Sequence, residues 1–310
     1  MATELGQAYV QIMPSAKGIS GKITKAIGPE TTSAGKIAGG NIVSSIKKII
    51  VAAGIGKTLA ATIKEGGALE QSIGGVETLF KDHADTVREY ANEAYKTVGV
   101  SANEYMENVT SFSASLLQSM GGDTKEAAKV AHTAMLDMGD NANKMGTDMR
   151  DIQNAYQGFA KQNYTMLDNL KIGYGGTKTE MERLLADAQK LTGVEYNIDN
   201  LDDVFMAVHA IQEEIGITGT TALEAEETIQ GSFNAMKSAF TNVLGALAIG
   251  ENLKGSLGAL AQTISTFLFD NLLPMLGNIF TALPGALLTF IKEAAPAILE
   301  GGGELLSNLV

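Results

Sequence analysis

Along this chain a cap-forming residue repeatedly stands three places ahead of a glutamate: Ser101 with Glu104, Asp123 with Glu126, Thr177 with Glu180, and Thr221 with Glu224. Each pair marks a helix start. The first side chain accepts from a free first-turn amide while the glutamate reaches back toward the cap's own N–H. Apolar residues then recur at helical spacing. After Ser101 come Tyr105, Val109, Phe112 and Leu116, closed by Gly121-Gly122. After Thr177 come Met181, Leu184, Leu185, Ala188 and Leu191. Leu201, Val204, Phe205, Val208, Ile211 and Ile215 form a third stripe, ended by Gly216. Such periodicity gives each segment one apolar face.

These signals predict an all-α chain: an elongated array of amphipathic helices and helical hairpins, with one short N-terminal strand and an apolar C-terminal helical region. Asp123 opens a helix to about Met145, and Gly173, Gly175 and Gly176 break the chain into a hairpin joint. Thr221 is expected to open the longest helix, whose later face carries Ile229, Phe233, Met236, Phe240, Val243, Leu244 and Leu247. The absence of tryptophan, the 5 prolines and the 35 glycines suit helices that meet through small residues. The strand is Gly6 to Met13, alternating in side-chain character and stopped by Pro14.

Three zones follow from pattern and charge: 1-66, a strand plus basic helical arm; 67-250, the helical body; and 251-310, an apolar helical segment. Residues 1–66 hold eight lysines against three acids, whereas residues 67–230 hold twelve bases against twenty-seven acids. The net charge of −12 argues against non-specific binding to DNA phosphates by the chain as a whole, and no specific nucleic-acid recognition is expected. The chain has no cysteine and therefore no disulfide framework or thiolate metal site. Met1 to Ser15 carries Glu4 and no unbroken apolar run, so it does not read as a secretory signal.

Two stretches are candidates for contact. Ala52, Gly56 and Ala60 make a small-residue ladder, a candidate helix-packing face that lets two backbones approach closely. Between Gly255 and Ile291 the only charge is Asp270, and Leu272, Leu273, Leu276, Ile279, Phe280, Leu287, Leu288 and Phe290 make this a membrane or oligomer segment. Asn271 to Ile291 matches the ~20 residues of a bilayer crossing, but Pro274, Pro284, Gly277 and Gly285 interrupt it, so buried oligomer contact is the first reading.

Patterns that suggest chemistry fail on their surroundings. Gly54 to Thr58 resembles the end of a phosphate loop, but Val51 replaces a required glycine and no strand precedes it. His83, His132 and His209 lack metal-ligand spacing, and His209 reads as a surface histidine. The carboxylates read as caps and solvated charges, and the methionines, such as Met106, Met181 and Met236, as adaptable core. No catalytic constellation emerges, so the expectation is a non-enzyme with no cofactor and no metal.

The wording of several blocks adds a different kind of information. Ala8 to Gly21, Gly66 to Phe80 and Asp140 to Ala188, in that order from the N-terminus, resemble the tail tape-measure proteins of long-tailed phages and prophages, over the span up to about residue 250. The resemblance implies a structural protein whose length sets tail-tube polymerisation and which leaves with the DNA at infection. It also implies self-association into a helical bundle and contact with the tail tube protein, tail assembly chaperones and baseplate proteins. The implied locations are the virion tail lumen, the host cytoplasm during assembly and the host membrane at infection. Members of that family are usually longer, with a coiled-coil middle, and no sustained heptad occurs here, so the chain matches the family's N-terminal region. The alternative is a membrane-active protein using residues 255–291.

Overall fold

The computed structural model describes residues 55–282, with side chains placed for residues 61–279. Every regular element among them is helical: α1 (Ile55–Phe80), α2 (Ala84–Thr97), α3 (Ala102–Ser119), α4 (Thr124–Met145), α5 (Met149–Phe159), α6 (Lys178–Thr192), α7 (Leu201–Glu214), α8 (Thr220–Glu227), α9 (Ile229–Ile249), α10 (Leu253–Ser265) and α11 (Leu273–Ala282). A π-helical stretch, Thr266–Leu272, joins α10 to α11. Apart from the first turn of α1, these elements belong to one unit, Leu59–Pro296. The expected strand at Gly6 to Met13, most of the basic arm and the residues after 282 lie outside the described residues.

Helix α4 is the centre of the body. Its Ala127, Ala128, Ala131, Ala134, Met135 and Met138 are all buried. Alanine lets neighbouring helices come close, and methionine fills the irregular space left between them. Helices α2, α3, α5, α7 and α8 all pack on α4. Tyr105, Val109, Phe112 and Leu116 of α3 enter the same core, as do Leu201, Val204, Phe205, Val208 and Ile211 of α7. Phe112 and Phe205 meet edge to face with ring centroids 5.2 Å apart.

Most of the predicted caps form. Ser101 Oγ accepts from Glu104 N, Asp123 Oδ1 from Lys125 N and Glu126 N, and Thr177 Oγ1 from Glu180 N. The carboxylate half of the Thr177 box goes elsewhere. Glu180 Oε2 accepts from Gly175 N at 3.0 Å and from Arg183, whose guanidinium also donates to Gly173 O and covers the Tyr174 ring. The glycine joint is thus held by the first turn of α6.

Thr221 is a correction. It lies inside the short helix α8, and Thr228 caps the long helix, its hydroxyl oxygen accepting from Gly231 N at 3.0 Å. The reason is tertiary: Asp140 of α4 accepts from Gly219 N and Thr221 N, so a carboxylate from another helix caps α8.

Two further differences concern extents. Residues 66 and 67 are both glycine, yet α1 runs through them without a break. The expected boundary at 66/67 therefore falls inside a helix. A side chain at Gly66 would collide with Ala248 of α9, so the glycine permits close helix contact there. Leu191 and Ile215, placed on apolar stripes by spacing, are 48% and 49% exposed because each sits in or just beyond the last turn of its helix, past the edge of the core.

Candidate functional site

The C-terminal helices carry their apolar residues in an unusual arrangement. Helix α9 turns its small residues inward: Ser232, Ala235, Ala239, Gly245 and Ala246 are buried. Its large residues face out, with Phe233, Phe240 and Leu247 each more than 40% exposed. Of the stripe expected from the sequence, Val243 is buried, whereas Phe233, Phe240 and Leu247 are not. Periodicity located the apolar side of α9; packing selected the small-residue side beside it.

The next hairpin repeats the inversion. Gly250, left-handed at φ 76°, ends α9 and lets α10 fold back along it. The buried residues of α10 and the π stretch are Ser256, Thr263 and Asn271. Asn271 Nδ2 donates to Glu226 O at 2.9 Å, tying the π stretch to α8. Ile264, Phe269, Leu273 and Ile279 are exposed. Leu272 and Leu276 are half-buried, Phe280 is described only as helical backbone, and Leu287, Leu288 and Phe290 lie outside the described residues. Among the described residues no helix is long and apolar enough to cross a membrane. Of the small-residue ladder, Ala52 lies outside the described residues and Gly56 and Ala60 are described only as helical backbone in α1. The residues of the phosphate-loop pattern from Ile55 onward lie in that same helix rather than in a loop.

Sequence reasoning missed a buried polar centre between α4 and α7. Asp137 is fully buried, and His209 Nδ1 donates to its Oδ1 at 2.8 Å while Oδ2 has no hydrogen-bond partner. His209 is therefore a structural partner of a buried acid, not the free surface group expected. Asn141, also fully buried, donates to Leu170 O and to Gln212 Oε1. Burial pushes the Asp137 carboxyl up to about 6, against the pull of His209. The bond to Asp137 raises His209, and burial raises Asp140. Asp137 departs from the reading of the carboxylates as mostly caps and solvated charges, whereas Asp140 is a cap, but of another helix. No local signal in the sequence marked them, because both lie off the Ala127, Ala131, Met135 and Met138 stripe of α4 and are buried by other helices packed around it.

This centre joins helices more readily than it could act on a substrate. Asp137 has no exposed surface, and its neighbours are amides already committed to one another. A cavity of about 200 Å³ beside it is lined by Gly99, Gly139, Asn143, Thr221, Ala225 and Gly231 among others, with no carboxylate, lysine or histidine. Among the described residues no group of three or more His, Asp or Glu is placed to hold a metal. No protein-family model matches the chain, and no curated protein or solved structure is significantly similar to it.

Proposed function

We propose that the chain is a structural virion protein, a tail tape-measure protein or its N-terminal region, which sets tail-tube length during assembly and is ejected with the DNA. The reading rests on the resemblance of Asp140 to Ala188, Gly66 to Phe80 and Ala8 to Gly21 to that family. The observation that supports it best is the outward apolar surface of α9 to α11, since an assembly protein acts through contact faces. Length is the other requirement, and a helix rises by a fixed ~1.5 Å per residue, so residue count can be converted into distance. Helices folded on a common core, as α2 to α7 are, add less length per residue than an extended array.

The test is genetic. Deleting an in-frame helical block should shorten tails in proportion to the residues removed, measured by electron microscopy. Tails of unchanged length would overturn the assignment.

A membrane-active role is the second reading, favoured by the same inversion of small inside and bulky outside, the packing seen where helices face lipid. Carbonate-resistant association with membranes in cells making no other phage protein would support it. Recovery wholly in soluble oligomers would count against it.

A further inference from the structure

Five side chains from α4, α5 and α7 form a hydrogen-bonded network that is complete except at one place. His209 Nδ1 donates to Asp137 Oδ1 at 2.8 Å. Asn141 Nδ2 donates to Leu170 O at 2.9 Å and to Gln212 Oε1 at 3.0 Å, and Gln212 Nε2 donates to the Tyr156 hydroxyl at 3.5 Å. Two oxygens, Asp137 Oδ2 and Asn141 Oδ1, have no donor. Asp137, Asn141, Gln212 and Tyr156 are all fully buried, so bulk solvent supplies none.

The two bare oxygens belong to neighbouring rungs. Asp137 and Asn141 stand one turn apart on the same side of α4, and their partners His209 and Gln212 stand one turn apart on α7. Turning the Asn141 amide round would not help, because Leu170 O is a main-chain acceptor and needs its Nδ2. Neither Asp137 nor Asn141 lines the cavity beside them. Two acceptors so placed lack only a proton, and a neutral carboxyl carries one O–H donor. The titratable groups around Asp137 are Asp140 on α4, His209 and Glu213 on α7, and Tyr156 on α5. Asp140 is committed to Gly219 N and Thr221 N, Glu213 is exposed, and only His209 can carry positive charge. Burial outweighs the pull of that imidazole and favours the neutral acid.

We infer that Asp137 holds a proton on Oδ2 and donates it to Asn141 Oδ1, which makes the α4–α7 contact a latch that closes on proton uptake and loosens on proton loss. Every oxygen of the network then has a donor, and His209 is the neutral tautomer protonated on Nδ1. Its side chain, 24% exposed, is where the network reaches water. Loss of the proton sets a buried carboxylate against the Asn141 carbonyl, lone pair against lone pair. The folded chain holds this proton more tightly than the unfolded chain does. Its stabilising effect is therefore complete below the ordinary 3.8 and is lost as pH rises through about 6. The latch does not depend on the tail-length role.

The test is infrared difference spectroscopy on the full chain, wild type minus Asp137→Asn. Asparagine keeps the shape and offers an N–H to Asn141 Oδ1, so the variant should fold. At about pH 5 the difference should show the carbonyl band of one protonated carboxyl, and by about pH 8 the band should be gone. Asn141→Ala should move the band to higher frequency, because the O–H loses its acceptor. Between those pH values amide exchange in α7, corrected for the intrinsic effect of pH, should quicken about tenfold more in wild type than in Asp137→Asn. Absence of the band at about pH 5 would overturn the inference, since the acid would then be ionised and a water would have to bridge the two oxygens. So would a band unmoved by Asn141→Ala, or α7 exchange with the same pH dependence in wild type and Asp137→Asn.

Discussion

Single side chains divide into those that hold the core and those that only look as if they should. Phe112 is 1% exposed and meets Phe205, so Phe112→Ala should cost about 3–5 kcal/mol in urea unfolding. Phe240, a residue of the same type on an equally apolar stripe, should cost less than about 0.5 kcal/mol when changed to Ser. The titrating residues pull in opposite directions. The folded chain binds the Asp137 proton more tightly than the unfolded chain does, so this group makes the fold less stable as pH rises from the ordinary 3.8 to about 6. His209, raised by Asp137, has the same sign: its contribution is complete below 6.5 and disappears as pH rises through its raised folded value. His132 is opposite. Stacked on Tyr90 and bonded to the Tyr105 hydroxyl, it is held down at about 4 by burial, so the fold loses stability as pH falls from 6.5 toward 4. Asp137→Asn should therefore remove a fall in melting temperature as pH rises from 3.8 to about 6, and also the further fall above 6.5 that comes from His209. His132→Phe should remove a fall of opposite sign, as pH drops from 6.5 to about 4. Variant profiles parallel to wild type would refute these assignments.

Elements show where local rules sufficed. The caps of α3, α4 and α6 were legible because Ser101, Asp123 and Thr177 each find an amide within three residues along the chain. Thr221 carried the same signature and failed, since Asp140, far away in sequence, accepts from Gly219 N and Thr221 N and starts the helix at Thr220, ahead of the expected box. Thr228→Ala should accordingly cost about 1 kcal/mol, while Glu224→Gln, at the expected box position, should be near neutral. The glycines of α1 make the contrast sharper. Gly66→Ala raises helix propensity by about 1 kcal/mol, yet it drives a methyl into Ala248. Net destabilisation in thermal melts is the expected outcome, and a stabilised variant would mean that α1 does not lie this close to α9.

For the unit as a whole, the strength of packing differs from one part to another. The large core cluster joins α1 to α7 around α4, whereas the cluster under α9 and α10 is small, built on Tyr95, Ala225, Ala235 and Ala239. Amide exchange should be slowest in α3, α4 and α7 and several orders of magnitude faster in α10 and α11.

The sequence by itself determined that the described residues are helical, where α3, α4, α6 and α7 lie, and which sides of α3, α6 and α7 are apolar. Those properties arise from contacts within a few residues: a cap and its amide, or side chains one turn apart. Only tertiary structure decided which of two apolar faces α9 buries, which acid caps α8 and which carboxylate goes into the core. Each of those outcomes depends on what another helix presents. Alanine and glycine offer less area to bury than phenylalanine but allow backbones to approach closely, and Asp137 and Asp140 are acceptable in the interior only because His209 and the amides of α8 are brought to them.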